Sequence, residues 1–263
     1  MNKRSTALAV ALATLLAIGC GSGGGAGDFN LISIEEEWQL GQQLSQDVAR
    51  QVRLSNDPTL NQYVSSMGQR IVARTPAPFN QLPWQFHVVE DPAINAFAIP
   101  GGHIYVHTGL IANADNAAEL AGVIAHEISH VTARHSTEQI TRQYGLSVLA
   151  GMVLGQDPGA LAQISAQIVA GGALARFSRQ AEEEADELGI QAMAAAGYNP
   201  IGMATMFEEL LRHRSGQPGR VEQFFSTHPL TEERAAAARR RAQQIGERGT
   251  LDEPGFRTAK ARV

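Results

Sequence analysis

His126 and His130 stand four residues apart, with Glu127 directly after the first, in the segment His126-Glu127-Ile128-Ser129-His130. On a helix, residues at this spacing share one face about a turn apart, so two imidazoles can converge on a single metal ion. The Glu127 carboxylate then projects beside the ion, where it can take a proton from a water activated there. That is the chemistry of metal-assisted peptide hydrolysis. With eight histidines in the chain, the pattern arises by chance in roughly one such sequence in a hundred, so the rest of the helix has to be consulted.

That helix carries two stripes. Leu120, Val123, Ile124 and Val131 form an apolar one, and Ala118, Ala121, Gly122, Ala125 and Ser129 form a small-residue one nearly opposite. A helix so patterned is packed on both sides, and its histidines fall between the stripes, inside the protein, where unpaired imidazoles need partners. A catalytic zinc takes three protein ligands and keeps one position open, so a third ligand is expected downstream. The run Ala181-Glu182-Glu183-Glu184-Ala185-Asp186 offers it. On a helical wheel Glu182, Asp186, Gly189 and Met193 share a face, while Glu184 and Glu187 point away with Gln191. Glu182 is therefore the expected ligand and Glu183, at the edge of that face, the runner-up. Asp186, one turn on, is placed to hydrogen-bond a ligand imidazole and hold its tautomer. A different zinc arrangement, with a third histidine six residues after the second, is excluded because Ser136 occupies that position. His135 reads as structural.

The elements that must position these groups are mostly helices. At 263 residues and 44% hydrophobic, the chain can bury a proper core, and its alanine-rich, aromatic-poor composition suits a helix-rich α+β domain. The net charge of −5 gives no basic surface and excludes nucleic acid as an expected partner. Lys3 and Arg4 precede an apolar run from Ala7 to Ile18 that is too short for a mature membrane span and reads as an export signal, residues 1–19. Cys20, the only cysteine, follows Leu16-Ala17-Ile18-Gly19 as in a bacterial lipobox, so lipidation of Cys20 is expected. A glycine-rich tether, 20–29, leads to one domain, 30–263. Ser33 with Glu36 opens a helix to about Val52, and Asp57-Pro58 opens another to about Ala73. Short β-rich segments at Trp84–Val89, Ala93–Ile99 and His103–Val106 predict a small antiparallel sheet. Further helices are expected at about 115–135, 137–154, 159–175, 179–196, 200–213 and 231–246. Residues 144–175 read as core helices or as a lid over the site. Arg234, Arg239, Arg240 and Arg241 read as a solvated face of the last helix.

Four ordered motifs, Asn95-Ala96-Phe97-Ala98-Ile99-Pro100-Gly101-Gly102, His126 to His130, Phe177-Ser178-Arg179 leading to Glu182 and Asp186, and Thr227-His228-Pro229-Leu230, together resemble the HtpX- and BepA-type zinc metallopeptidases. This family, peptidase family M forty-eight, also holds the CaaX prenyl proteases, and the resemblance runs from roughly residue 30 to 245. It implies a gluzincin-like metallopeptidase domain, with one Zn²⁺ on His126, His130 and Glu182, Glu127 as general base and Asp186 behind a ligand. It further implies that Asn95 and Ala96 lie on an edge strand that pairs with an extended substrate. His228 matches a family histidine that stabilises the oxyanion or occupies the open zinc position. The family's membrane-embedded members have spans that this sequence lacks after its signal. The expectation is thus a zinc metalloendopeptidase of the periplasm, lipid-anchored to the outer membrane. It would hydrolyse extended or misfolded envelope proteins, with the outer-membrane assembly machinery as a partner. The alternatives are a latent zinc-containing chaperone or assembly factor for outer-membrane proteins and, third, a cell-wall amidase.

Overall fold

A computed structural model describes residues 31–171, 176–216 and 218–263. The export signal, Cys20, the tether and the last four residues of the helix expected at 159–175 lie outside the described residues. Helix α1 (Ile34–Ala49) starts where expected, because the Ser33 hydroxyl accepts from Glu36 N and the Glu36 carboxylate accepts from Ser33 N, a reciprocal capping box. Helix α2 (Pro58–Val72) opens on Asp57, whose carboxylate caps Thr59 and Leu60, with Pro58 at the first helical position.

Strands β1 (Gln85–Val89), β2 (Ala96–Ile99) and β3 (His103–His107) form the expected sheet in the order β1-β3-β2. Its β2–β3 pair is antiparallel across the Pro100-Gly101-Gly102 turn, but β1 adds to β3 in parallel, so the sheet is mixed. The chain leaves β1 on one side of β3 and crosses to the other side before β2, a path that local alternation does not reveal. Gly101 sits at φ +82° with its α-carbon against α1, where a β-carbon on Gly41 would lie 2.3 Å from the Pro100 carbonyl oxygen.

The sheet is a middle layer buried on both faces. Phe86, Val88, Ala98, Ile104 and Val106 pack with α2 and with α4 (Ala117–Thr132) in the main core. Phe97, Ile99 and Tyr105 face a second core made by α1, α5 (His135–Tyr144), α6 (Leu146–Val153) and α7 (Pro158–Val169). The helix expected at 137–154 is two helices, α5 and α6, because Gly145 takes φ +82° between them. On the other side of α4 lie α8 (Arg179–Ala195) and α9 (Ile201–Gly216), and α11 (Glu232–Ile245) packs on both of these. Among the described residues, three short α-helices lie beyond the sequence expectation: α3 (Thr108–Asn113), α10 (Glu222–Thr227) and α12 (Pro254–Lys260). The last is tied down by Tyr63 Oη donating to Glu253 at 2.9 Å and Lys260 Nζ donating to the Ala114 carbonyl at 2.7 Å. Among the described residues no helix is long and apolar enough to cross a membrane.

Candidate metal centre

Helix α4 is buried from Ala117 to Val131, as its two stripes require. The small-residue stripe is what lets its neighbours approach: a β-carbon on Gly122 would lie 2.8 Å from Met203 Cα of α9, and one on Gly202 would lie 2.4 Å from the Ala118 backbone. Gly189 does the same for α8, its missing β-carbon leaving room for the His126 backbone nitrogen at 3.1 Å. Ser178 caps α8 by accepting from Ala181 N, so Glu182 falls in the first turn and faces α4.

The consequence is a convergence of four ligand atoms, one each from His126, His130, Glu182 and His228, all buried and within 4.8 Å of one another. His126 Nε2 is 3.0 Å from His130 Nε2 and 3.3 Å from His228 Nδ1. Glu182 places Oε1 3.0 Å from His228 Nδ1 and 3.5 Å from His130 Nε2. Donors held about 2.0–2.1 Å from one tetrahedral ion stand about 3.3 Å from each other, so the set fits zinc, and two or three imidazoles with one carboxylate suit that ion. The tautomers agree, since His126 Nδ1 is 3.0 Å from Asp186 Oδ1 and its proton therefore belongs there, leaving the Nε2 lone pair for an ion.

Burial alone would lower the His126 imidazole, but the carboxylates of Asp186 and Glu182 outweigh it and raise it to about 9. Burial likewise works against the Glu182 carboxylate, yet His228, His126 and His130 hold it well below the ordinary range. Glu127 behaves differently. Burial raises it above the usual carboxylate value, against the opposing pull of His228 and His126. Its Oε1 lies 3.4 Å from His228 Nε2, the Ala98 backbone also favours its ionised form, and no lysine or arginine pairs with it among the described residues.

Glu127 looks into a small cleft lined by Phe97, Ala98, Ile140, Ile168, Phe177 and His228. Helices α5 and α7 thus line the cleft while also forming the second core. Asn95 and Ala96 do not line it. Both are buried, the Asn95 carbonyl accepts from His107 N at 3.0 Å, and Ala96 pairs with Val106; Phe97 and Ala98, one and two residues on along the same edge strand, reach the cleft instead. The runner-up Glu183 is exposed beside Arg179, and Glu187 pairs with Arg241, as a solvated face should.

Two residues of the site escape the sequence reading. Arg234 is not on a solvated face: it is 4% exposed, and its guanidinium bridges Glu182 (Nη1 to Oε2, 2.6 Å) and Asp186 (Nη2 to Oδ1, 2.8 Å; Nε to Oδ2, 2.9 Å). The available signal was the wheel of α11, on which Arg234 shares the buried side with Ala235, Ala238 and Ala242. Arg239 does behave as expected, paired with Glu208 at the surface. The second residue is His135, whose Nδ1 is 2.9 Å from His130 Nδ1.

Comparison with known proteins agrees with this arrangement. The chain is 36% identical over 241 residues to the Beta-barrel assembly-enhancing protease of Escherichia coli K12, covering 88% of this chain and 49% of that protein. It is 33% identical over 245 residues to the Putative beta-barrel assembly-enhancing protease of Vibrio cholerae, with the same coverages. To the Mitochondrial metalloendopeptidase OMA1 of Schizosaccharomyces pombe it is 33% identical over 210 residues, 78% of this chain and 61% of the relative. The chain thus spans about half the length of the first two. Residues 58–242 match the family described as Peptidase family M48, a span from the start of α2 into α11 that encloses the four ligand atoms, Glu127, Asp186 and Arg234. A buried ligand set with the Glu127 carboxylate beside it, inside a match of that extent, makes this chain a member of peptidase family M48.

Proposed function

We propose that the protein is a zinc-dependent metalloendopeptidase that hydrolyses extended or misfolded polypeptide. The observation that carries this reading is the convergence of His126, His130 and Glu182 with a Glu127 that pairs with no lysine or arginine among the described residues and faces a cleft beside an edge strand. Zinc bound by those three residues would supply Lewis acidity, polarising water and the scissile carbonyl. Glu127 takes the water proton on its carboxylate. Because burial raises its proton affinity above that of an exposed carboxylate, it holds that proton more readily and can pass it to the leaving amine. Asp186 fixes His126 through Nδ1, and Arg234 holds both carboxylates in place. The β2 backbone from Asn95 to Ala98 offers an edge to which an extended chain can add, a mode that reads backbone more than sequence. The names of the bacterial relatives concern β-barrel assembly, which supports envelope proteins as substrates and the periplasm as the place of action. A signal at 1–19, an outer-membrane lipid anchor on Cys20, a tether to residue 29 and a catalytic domain over 30–263 complete the proposal, with the outer-membrane assembly machinery as the partner.

A second reading has specific support. His228 Nδ1 lies among the ligand atoms, and a fourth protein ligand closes a zinc site. In that form the protein is latent, or serves as an assembly factor for outer-membrane proteins.

Metal content and casein cleavage, measured on the purified protein, test both readings. About one zinc is expected in wild type and in Glu127→Gln, with cleavage lost in the variant. Absence of zinc, or a Glu127→Gln variant cleaving at the wild-type rate, refutes the peptidase reading. Faster cleavage by His228→Ala identifies a latent fourth ligand, whereas a loss of about 10²–10³-fold identifies an oxyanion donor.

A further inference from the structure

We propose that His135 is a positioning residue that fixes the tautomer and orientation of His130. The proposal rests on His130 being a zinc ligand, as above. His130 Nε2 faces the other ligand atoms, so in a neutral imidazole that binds metal there the proton sits on Nδ1. That Nδ1 is 2.9 Å from His135 Nδ1, and the latter must accept. His135 then carries its own proton on Nε2, which lies 3.5 Å from Glu184 Oε2. The three groups form one directional chain, from the metal position through a residue 5% exposed to a carboxylate 54% exposed at the surface. The opposite ligand, His126, is supported differently, by the buried Asp186–Arg234 pair.

The backbone is bent to make this contact. On a continuous helix, residues five apart are about 140° around the axis from each other and do not touch. Here α4 ends at Thr132 and Arg134 takes φ +60°, ψ +27°, a left-handed conformation uncommon for a residue with a β-carbon. Helix α5 restarts at His135 and brings the ring back against His130. The turn is held from outside: Arg134 Nε pairs with buried Glu37 of α1 at 2.6 Å, and Nη2 donates to the Ile32 carbonyl at 2.7 Å. Phe177 stacks on the face of the His130 ring, with centroids 3.9 Å apart and planes 18° from parallel. One contact therefore limits the ring's tilt and the other selects its protonated nitrogen.

The test is zinc affinity of the purified protein, by chelator competition, for wild type, His135→Leu and His135→Asn. Leucine fills the space but cannot accept a hydrogen bond, whereas the asparagine oxygen can take the place of Nδ1. The expected result is a loss of roughly 10–100-fold in affinity for His135→Leu and recovery of most of it in His135→Asn. A packing role gives the reverse order. Leucine binding zinc as tightly as wild type, or asparagine as weakly as leucine, overturns the proposal. A second measurement needs no variant: in ¹⁵N-histidine spectra of the zinc-loaded wild type, His130 is expected protonated at Nδ1 and metal-bound at Nε2, and the opposite assignment overturns it. Wild type that binds no zinc at all removes the metal reading itself, which separates that failure from failure of His135 alone.

Discussion

Replacing Arg234 with methionine keeps an unbranched apolar stem and removes the guanidinium, leaving two carboxylates in the interior without that cation. Glu182 is 0% exposed, Asp186 1% and Arg234 4%, and three contacts of 2.6–2.9 Å join them. Removing one partner of a buried, hydrogen-bonded ion pair costs about 3–5 kcal/mol, most of it the burden of the charge left behind. At about 2 °C per kcal/mol for a chain of this size, the metal-free protein is expected to melt about 6–10 °C lower. With zinc present the loss shrinks, because the ion supplies positive charge to Glu182 and, through His126, to Asp186. Thermal unfolding followed by circular dichroism, with zinc and with chelator, reads both values. If the chelated variant melts within about 1 °C of the chelated wild type, the guanidinium is not what stabilises these carboxylates and the reasoning fails.

Gly202→Val would put side-chain atoms where its β-carbon already stands 2.4 Å from the Ala118 backbone. Neither helix can yield a few tenths of an ångström cheaply, so α9 must leave α4, and a destabilisation of about 1–3 kcal/mol or more is expected in urea unfolding; an unchanged midpoint would show that the two helices do not pack as described. Ser178→Ala removes the hydroxyl that accepts from Ala181 N at the start of α8. It is expected to cost about 1 kcal/mol and to weaken zinc binding through the adjacent Glu182, and a variant matching wild type in both would separate the cap from the site.

Much of the site is legible in the sequence because it depends on local periodicity. The i, i+4 spacing puts His126 and His130 on one face whatever the tertiary fold, and the wheel that buries Glu182 and Asp186 needs only the positions of their apolar neighbours. Ser33 and Asp57 announce their helices by the same token, since a cap satisfies backbone donors two or three residues away.

What depends on long-range pairing had to wait for the fold. The parallel partner of β3 and the buried guanidinium of Arg234 each join elements well apart in the chain, and no period within one element encodes the partner in another; His228 was indicated only by the family resemblance. Arg134 is the sharpest case. Its left-handed turn is not announced by a glycine, because the strain is held by Glu37 and the Ile32 carbonyl about a hundred residues earlier in the chain. The sequence by itself thus determined the motif, the helices that carry it and the carboxylate that faces it. The tertiary structure alone decided which distant charges and imidazoles complete the site, because only packing brings them within hydrogen-bonding distance.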